Sequence, residues 1–253
     1  MPTVARINVT PVKGTKLHHP EVVQLSECGI EGNRRLFLCD ERGDLLSGFD
    51  HGQLATVEAT IDGTTLTLRM PDGARHEARI DDAGPSVEVV FDQRRVSGRF
   101  VAPELADVFS TFVGRPVRLV RADREGDGPD VHRLTVVGNA SVEHLARGGG
   151  HDGGLDVRRF RMNFELDGCA PYEEDTWGGR HVRVGGAVIE VLGQVPRCRV
   201  TEQAPVTGVK DWDTLRQIAR QRSRMDGGGL PFGVYAEVVE PGLVAVGDAV
   251  APA

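Results

Sequence analysis

The sequence predicts a mainly β (α+β) protein with a few peripheral helices, and three observations favour this fold class. Short apolar segments recur at intervals of about ten residues along the chain. Glycine contributes 32 of the 253 residues and aromatic residues only 5%, a composition typical of many tight turns. Apolar residues at helical spacing are confined to a few stretches. Together these features favour a β-barrel or sandwich over alternating β-α-β units.

The elements follow from local patterns. In the first half, strands are predicted at 4–9, 22–25, 34–39, 54–61, 66–70, 86–91 and 95–100. An Asp-Gly pair between 54–61 and 66–70 predicts a hairpin. In the second half, strands are predicted at 134–137, 162–166, 182–184, 187–192, 199–201 and 234–239. Helices are predicted at 103–114, with Pro103 in the first turn and Gly114 at the end, and at 141–147 and 211–222. Turn residues predict a loop at 122–131 and a glycine-rich connector at 148–154.

Composition and charge narrow the function classes. The formal net charge is −7, which does not suggest a binder of nucleic acid or of anionic membranes. The N-terminus lacks a signal-peptide pattern, and no apolar run approaches the ~18 residues that a membrane-spanning helix needs. We therefore expect a cytoplasmic protein.

The four cysteines, at positions 28, 39, 169 and 198, form no C-x-x-C pair. Zinc-finger and thioredoxin-like spacings are thus absent, and free thiols are expected in a reducing compartment. For each cysteine alone, a buried and inert thiol is the simplest interpretation. Cys198 differs because arginines flank it on both sides, and nearby positive charge favours the thiolate.

Several segments combine cations with turn residues. Lys13-Gly14 and Arg34 lie in turns and could be solvated surface charges. The basic run 158–161 could simply protect a strand edge from aggregation. The acidic run 173–175 could form an acid/base cluster, although a solvated acidic turn is favoured.

In order and spacing, these segments and the stretches 195–198 and 205–208 resemble the MOSC family, named after the C-terminal domain of molybdenum cofactor sulfurase. The resemblance implies an N-terminal MOSC-associated β-barrel domain at 1–118 and a β-barrel MOSC domain at 119–253. The sequence departs from the family pattern at five positions: Gly14 stands for Ser, Asn33 for Asp, Met162 for Pro, Val195 for Cys and Ala204 for Asp.

The resemblance also implies a site for the molybdenum cofactor, a pterin that carries a phosphate. Cys198 matches the cysteine that ligates molybdenum and is the expected catalytic residue and metal ligand. The other expected cofactor-binding residues are Lys13, Gly14, Arg34, His132, Arg161, Pro196, Arg197 and Tyr235. Fixed cations suit this group, because charge-assisted hydrogen bonds to phosphate are about twice as strong as neutral ones. For Tyr235, packing on a barrel wall is an equally good interpretation.

Within the family, the chain is similar to the amidoxime-reducing branch. This similarity implies a molybdenum-cofactor oxidoreductase whose small-molecule substrates are N-hydroxylated compounds, which it reduces. It also implies that the electrons come from a separate ferredoxin- or flavin-type reductase. An alternative is a non-redox sulfur or cofactor carrier in which Cys198 holds a persulfide. A degenerate member that binds no cofactor is a third possibility, which the departures at Gly14, Met162, Val195 and Ala204 favour.

Overall fold

The structure is a computed structural model that describes residues 1–46, 48–91, 94–129, 131–151 and 154–253. Strands β1–β9 are Thr3–Ile7, Val22–Ser26, Gly29–Ile30, Leu36–Cys39, Glu58–Asp62, Thr65–Arg69, Arg75–Arg79, Ser86–Phe91 and Arg94–Phe100. Strands β10–β17 are Arg118–Ala122, Leu134–Gly138, Phe164–Asp167, Arg180–Val184, Ala187–Pro196, Pro231–Glu240, Gly242–Ala245 and Val250–Pro252. Helices α1–α3 are Pro103–Val113, Asn139–Gly148 and Thr214–Gln221. Short 3-10 helices are Gly52–Thr56, Val157–Phe160, Glu173–Trp177 and Arg199–Glu202.

A seven-stranded sheet forms a nearly closed barrel, which confirms the mainly β fold class. Its strand order is β1-β12-β11-β15-β14-β13-β17, and only β11 and β12 pair in parallel. The two edges approach each other, because Val4 N donates to Asp248 O at 2.9 Å and Val250 N to Pro2 O at 2.8 Å. Inward-facing side chains fill the barrel, among them Phe164.

A second core lies under α1. The four-stranded sheet β4-β10-β9-β8 and the three-stranded sheet β5-β6-β7 surround it, and Phe109 of α1 is fully buried there. Pro103 occupies the first turn of α1, and Gly114 ends the helix in a left-handed conformation, with φ of 75°. Both features of the predicted helix are confirmed.

Strands of the first part of the chain pair with strands of the second part, and the reverse also holds near residue 118. β1 pairs with β12, and β2 pairs with β16 near the C-terminus. Conversely, β10 begins at Arg118 and pairs with β4. The division into domains 1–118 and 119–253 stays a prediction. In the described part of the chain, no helix has the length and apolar character required to cross a membrane.

Two strand predictions need correction. The predicted strand at 199–201 is wrong, because Thr201 donates from its N–H and from its hydroxyl to the Cys198 carbonyl and so closes a 3-10 turn. The predicted strand at 54–61 begins only at Glu58, since Gly52–Thr56 is a 3-10 helix. The sequence patterns do not predict strands β3, β7, β10, β16 and β17. Parts of the loop 122–131 and of the connector 148–154 lie outside the described residues.

Candidate functional site

The turn that carries Lys13 and Gly14 is held by backbone bonds to the start of β4. Lys13 N donates to Leu36 O at 2.7 Å, and Thr10 N donates to the Asn33 side-chain oxygen at 3.1 Å. Gly14 has a φ of 93°, a conformation that side chains with a Cβ rarely adopt. The glycine that replaces the family's serine is therefore the residue that this backbone accommodates without strain.

The Lys13 side chain reaches over the turn toward the loop that precedes β11. Its Nζ lies 3.3 Å from Gly128 O and 5.6 Å from the centre of the Phe91 ring. Lys13 is therefore half-buried between this turn and the loop.

Arg34 and Arg161 are two non-glycine residues with left-handed backbones, each with φ of 52°. Their guanidinium groups join segments that are distant in sequence. Arg34 Nη2 donates to Arg161 O at 2.9 Å, and Arg161 Nη2 donates to Thr15 O at 2.6 Å. Strained conformations of this kind cost about 1–3 kcal/mol each and concentrate at functional sites. The structure thus brings the expected residues Lys13, Gly14, Arg34 and Arg161 together.

Arg197 connects this group to the cysteine. Its N–H donates to Leu230 O at 2.8 Å, at the point where Pro196 ends β14. Arg197 Nη1 lies 3.2 Å from the Met162 sulfur, and Nη2 donates to Phe160 O. The guanidinium therefore contacts both chain neighbours of Arg161, the carbonyl of Phe160 and the side chain of Met162.

Cys198 follows directly, and its side chain is exposed, whereas Cys39 and Cys169 are buried. The exposed Pro196 packs against the glycine-rich turn that precedes β15: a Cβ added at Gly229 would lie 2.9 Å from the Pro196 Cβ. The thiol is thus presented at the surface between a strand end and a 3-10 helix, a position open to a bound group.

Arg159 anchors the loop that begins at Cys198, a role that its position in the sequence does not indicate. It is only 3% exposed and forms two hydrogen bonds with Asp211, at 3.1 and 3.0 Å, plus one to Thr201 O at 3.2 Å. The sequence carries no signal that separates Arg159 from Arg158 and Arg161. Burial alone distinguishes it.

His132 and Tyr235 form a separate pair on the barrel wall. Their rings are 4.9 Å apart, and His132 Nδ1 lies 3.0 Å from Glu237 Oε1. The same carboxylate accepts two further hydrogen bonds from Arg133. Tyr235 also packs against the outer cluster that contains Met162. Asp130, in the predicted loop at 122–131, lies outside the described residues.

The acidic run 173–175 does not form the solvated turn that its sequence favours. Glu174 is completely buried at the start of α2, where it accepts hydrogen bonds from Gly138 N at 3.2 Å and from the Ser141 hydroxyl at 2.9 Å. Burial raises the pKa of Glu174 despite these donors. Asp175 forms an ion pair with Arg222. These carboxylates hold α2 and α3 against the barrel.

Comparison with known proteins gives matches over nearly the whole chain. Residues 1–116 match the MOSC N-terminal beta barrel domain, and residues 123–251 match the MOSC domain. The chain is 26% identical to mitochondrial amidoxime reducing component 2 of Macaca fascicularis, with 98% of this chain and 82% of that protein covered. It is 24% identical to mitochondrial amidoxime-reducing component 1 of Homo sapiens, with the same coverage.

A third relative is the molybdenum cofactor sulfurase of Drosophila grimshawi, at 26% identity over 92% of this chain. That match covers 32% of the sulfurase. Since the MOSC match alone covers 123–251, and the N-terminal barrel match covers 1–116, the chain belongs to the MOSC domain family.

Proposed function

We propose that this protein binds the molybdenum cofactor and reduces N-hydroxylated compounds. The family and the amidoxime-reducing relatives support a role related to this cofactor. The observation that carries the proposal is the convergence of Arg34 and Arg197 on the segment 160–162, since Arg197 directly precedes the exposed Cys198. No other described cysteine combines exposure with neighbouring guanidinium groups that are fixed by hydrogen bonds.

The residues present fit an anionic pterin with a phosphate group. Lys13, Arg34 and Arg161 supply positive charge for the phosphate, and Gly14 permits the left-handed turn that follows Lys13. Arg197 adds a further cation next to the metal ligand. Soft thiolate sulfur, which Cys198 provides, suits a molybdenum centre.

The remaining expected contacts are Pro196, Tyr235 and His132. Pro196 shapes the exposed surface beside Cys198. Tyr235 offers an aromatic ring on the barrel wall, and His132 Nδ1 lies 3.0 Å from Glu237 Oε1, which orients the imidazole. We assign these three residues to the cofactor-binding site.

In the proposed reaction, an N–OH group takes up two electrons and two protons, which yields N–H and water. When bound, the cofactor supplies the two-electron redox chemistry. The electrons come from a separate ferredoxin- or flavin-type reductase. The part played by this chain is to hold the cofactor at Cys198, to neutralise its charge and to orient the substrate.

The test is the molybdenum content of protein purified from a molybdenum-replete host. We expect about one molybdenum per chain in the wild type and a loss of about tenfold or more in Cys198→Ser, the scale seen when metal-site residues are changed. Cys28→Ser is the matched control and should retain the metal, since Cys28 is only half-buried and is remote in sequence. Equal molybdenum retention in wild type and Cys198→Ser would refute the assignment.

A second candidate function rests on the exposure of Cys198. In a sulfur carrier, the thiolate attacks the outer sulfur of a donor persulfide, a new S–S bond forms, and the donor leaves as its thiolate. Incubation with a cysteine desulfurase and cysteine should then add the mass of one sulfur to the wild type and not to Cys198→Ser. A mass gain at Cys198 in protein that binds no molybdenum favours this role over the reductase.

A further inference from the structure

A small cavity opens beside Arg161, between the turn after Lys13 and the loop that follows Cys198. Its volume is about 230 Å³, and three cations line it: Lys16, Arg158 and Arg161. Leu17, Pro205 and Val206 provide apolar walls. A bound molecule here would therefore touch both a residue of the proposed cofactor site and the loop that starts at the thiol.

The charge of the lining is one-sided. No carboxylate is among the described residues that line this cavity. Lys16 does pair with Glu58 at 3.2 Å, but both side chains are largely exposed, so this contact exchanges easily with solvent and ligands.

Arg158 keeps donor capacity for a ligand. Its Nε and Nη2 bind Asp156, at 2.9 and 2.6 Å, which orients the guanidinium plane. Among the described residues, none accepts a hydrogen bond from its Nη1. An arginine held on one edge and open on the other is suited to a carboxylate.

The size and the apolar walls restrict the rest of the ligand. Pockets for drug-sized ligands measure about 300–1,000 Å³, so a cavity of 230 Å³ accepts a smaller frame, such as one ring or a short chain. Leu17 is buried, whereas Val206 is 62% exposed and borders the opening. The apolar body can thus pack on Leu17 and Pro205 while its charge meets the cations.

We infer that this cavity is the substrate pocket and that it selects small N-hydroxylated compounds that carry a carboxylate on a compact apolar frame. The inference rests on the proposed reductase function. The carboxylate binds Lys16 and Arg158, and the N–OH group is directed toward Arg161 and the site at Cys198.

The experiment compares benzamidoxime with 4-carboxybenzamidoxime on the purified, cofactor-loaded protein. Calorimetric titration should give a Kd that is about fivefold or more lower for the carboxylated probe, the scale of one partly exposed ion pair. The difference should shrink as salt is added, because exposed charges are screened. Steady-state reduction should show the same preference in kcat/KM.

Lys16→Met and Arg158→Met keep an unbranched, flexible side chain and remove the charge. Each should reduce the preference for the carboxylated probe by about fivefold. Arg183→Met is the matched control, because Arg183 is an exposed cation that pairs with Glu240 between β13 and β15 and does not line the cavity. The wild-type preference should persist in this control.

The outcomes separate the two proposals. If both probes bind with equal affinity and both are reduced, the proposed selectivity of the pocket is overturned and the reductase function stays intact. Tighter binding of the carboxylated probe without reduction of either probe contradicts the reductase function and supports the carboxylate preference. A loss of molybdenum in Lys16→Met or Arg158→Met overturns the inference, because the cavity then holds the phosphate of the cofactor.

Discussion

Arg34 Nη2 donates a hydrogen bond of 2.9 Å to the carbonyl oxygen of Arg161, a residue that is 127 positions further along the chain. Both residues have left-handed backbones. The Arg34 side chain thus fixes a carbonyl whose position depends on the unfavourable conformation of Arg161. The contact ties the N-terminal cations to the segment that precedes β12, and it places them on one surface with Arg197.

The strain at Arg34 can be separated from the function of its side chain. Arg34→Ala and Arg34→Gly both remove the guanidinium group and should both lower molybdenum retention. Glycine adopts a positive φ readily, whereas alanine does so at a cost of about 1–2 kcal/mol. We expect urea unfolding to give Arg34→Gly a free energy of unfolding about 1 kcal/mol above that of Arg34→Ala. Equal stability of the two variants would show that the left-handed conformation at residue 34 carries no cost.

The loop after Cys198 is seated by a close approach of two glycines. A Cβ built on Gly208 would lie 1.8 Å from Gly52 O, far inside any tolerable contact. Gly208→Ala should therefore displace the loop and lower the free energy of unfolding by about 2–4 kcal/mol. Gly228→Ala is the control: its φ of 89° is also positive, but a Cβ there would meet nothing within 4 Å.

For Gly228→Ala we expect only the backbone cost, about 1 kcal/mol. Hydrogen exchange should also rise over 199–208 in Gly208→Ala and stay unchanged in Gly228→Ala. Similar losses of stability in both variants would argue against a seated loop.

Glu174 should make stability depend on pH. Burial raises its pKa in the folded protein above the ordinary value of 4.5, so ionisation of this carboxyl costs stability. The cost is absent below the unfolded-state pKa and grows as the pH rises through the folded-state pKa. In Glu174→Gln this cost is removed, because an amide does not ionise. The amide can still bind Gly138 N and Ser141. Relative to the variant, the wild type should therefore gain stability as the pH falls from neutral toward about 4.5.

Urea unfolding of both proteins across this pH range is the measurement. Burial also raises the pKa of Glu165, but this residue is present in both proteins, so its contribution cancels in the difference. A difference in unfolding free energy that does not change with pH would mean that Glu174 has an ordinary pKa.

The cysteines should differ in reactivity toward iodoacetamide at neutral pH. Burial raises the pKa of Cys39 to about 11 and that of Cys169 to about 12, so neither forms a thiolate readily. Cys198 is exposed and should be modified first. Peptide mass spectrometry over time measures the rates, and urea-unfolded protein is the control in which Cys39 and Cys169 become reactive. Modification of native Cys169 as fast as Cys198 would contradict this burial.

Local patterns were sufficient for much of the fold. Helix α1 could be predicted between Pro103 and Gly114, because a fixed φ at the start and a left-handed residue at the end are properties of single residues. The strand at 199–201 could not be excluded in this way. Its Arg-Val-Thr sequence suits a strand, and only the hydrogen bonds from Thr201 to Cys198 turn it into a 3-10 helix.

Residue order along the chain established the family and the set of expected site residues, because a motif is a matter of identity and spacing. It could not assign different roles to Arg158, Arg159 and Arg161, which are chemically identical neighbours. Contacts in the folded chain made that distinction: Arg159 is buried against Asp211, Arg161 reaches Thr15, and Arg158 binds Asp156 and lines the cavity. Burial and ion pairing depend on which segments meet in space, and that information exists only once the barrel has closed.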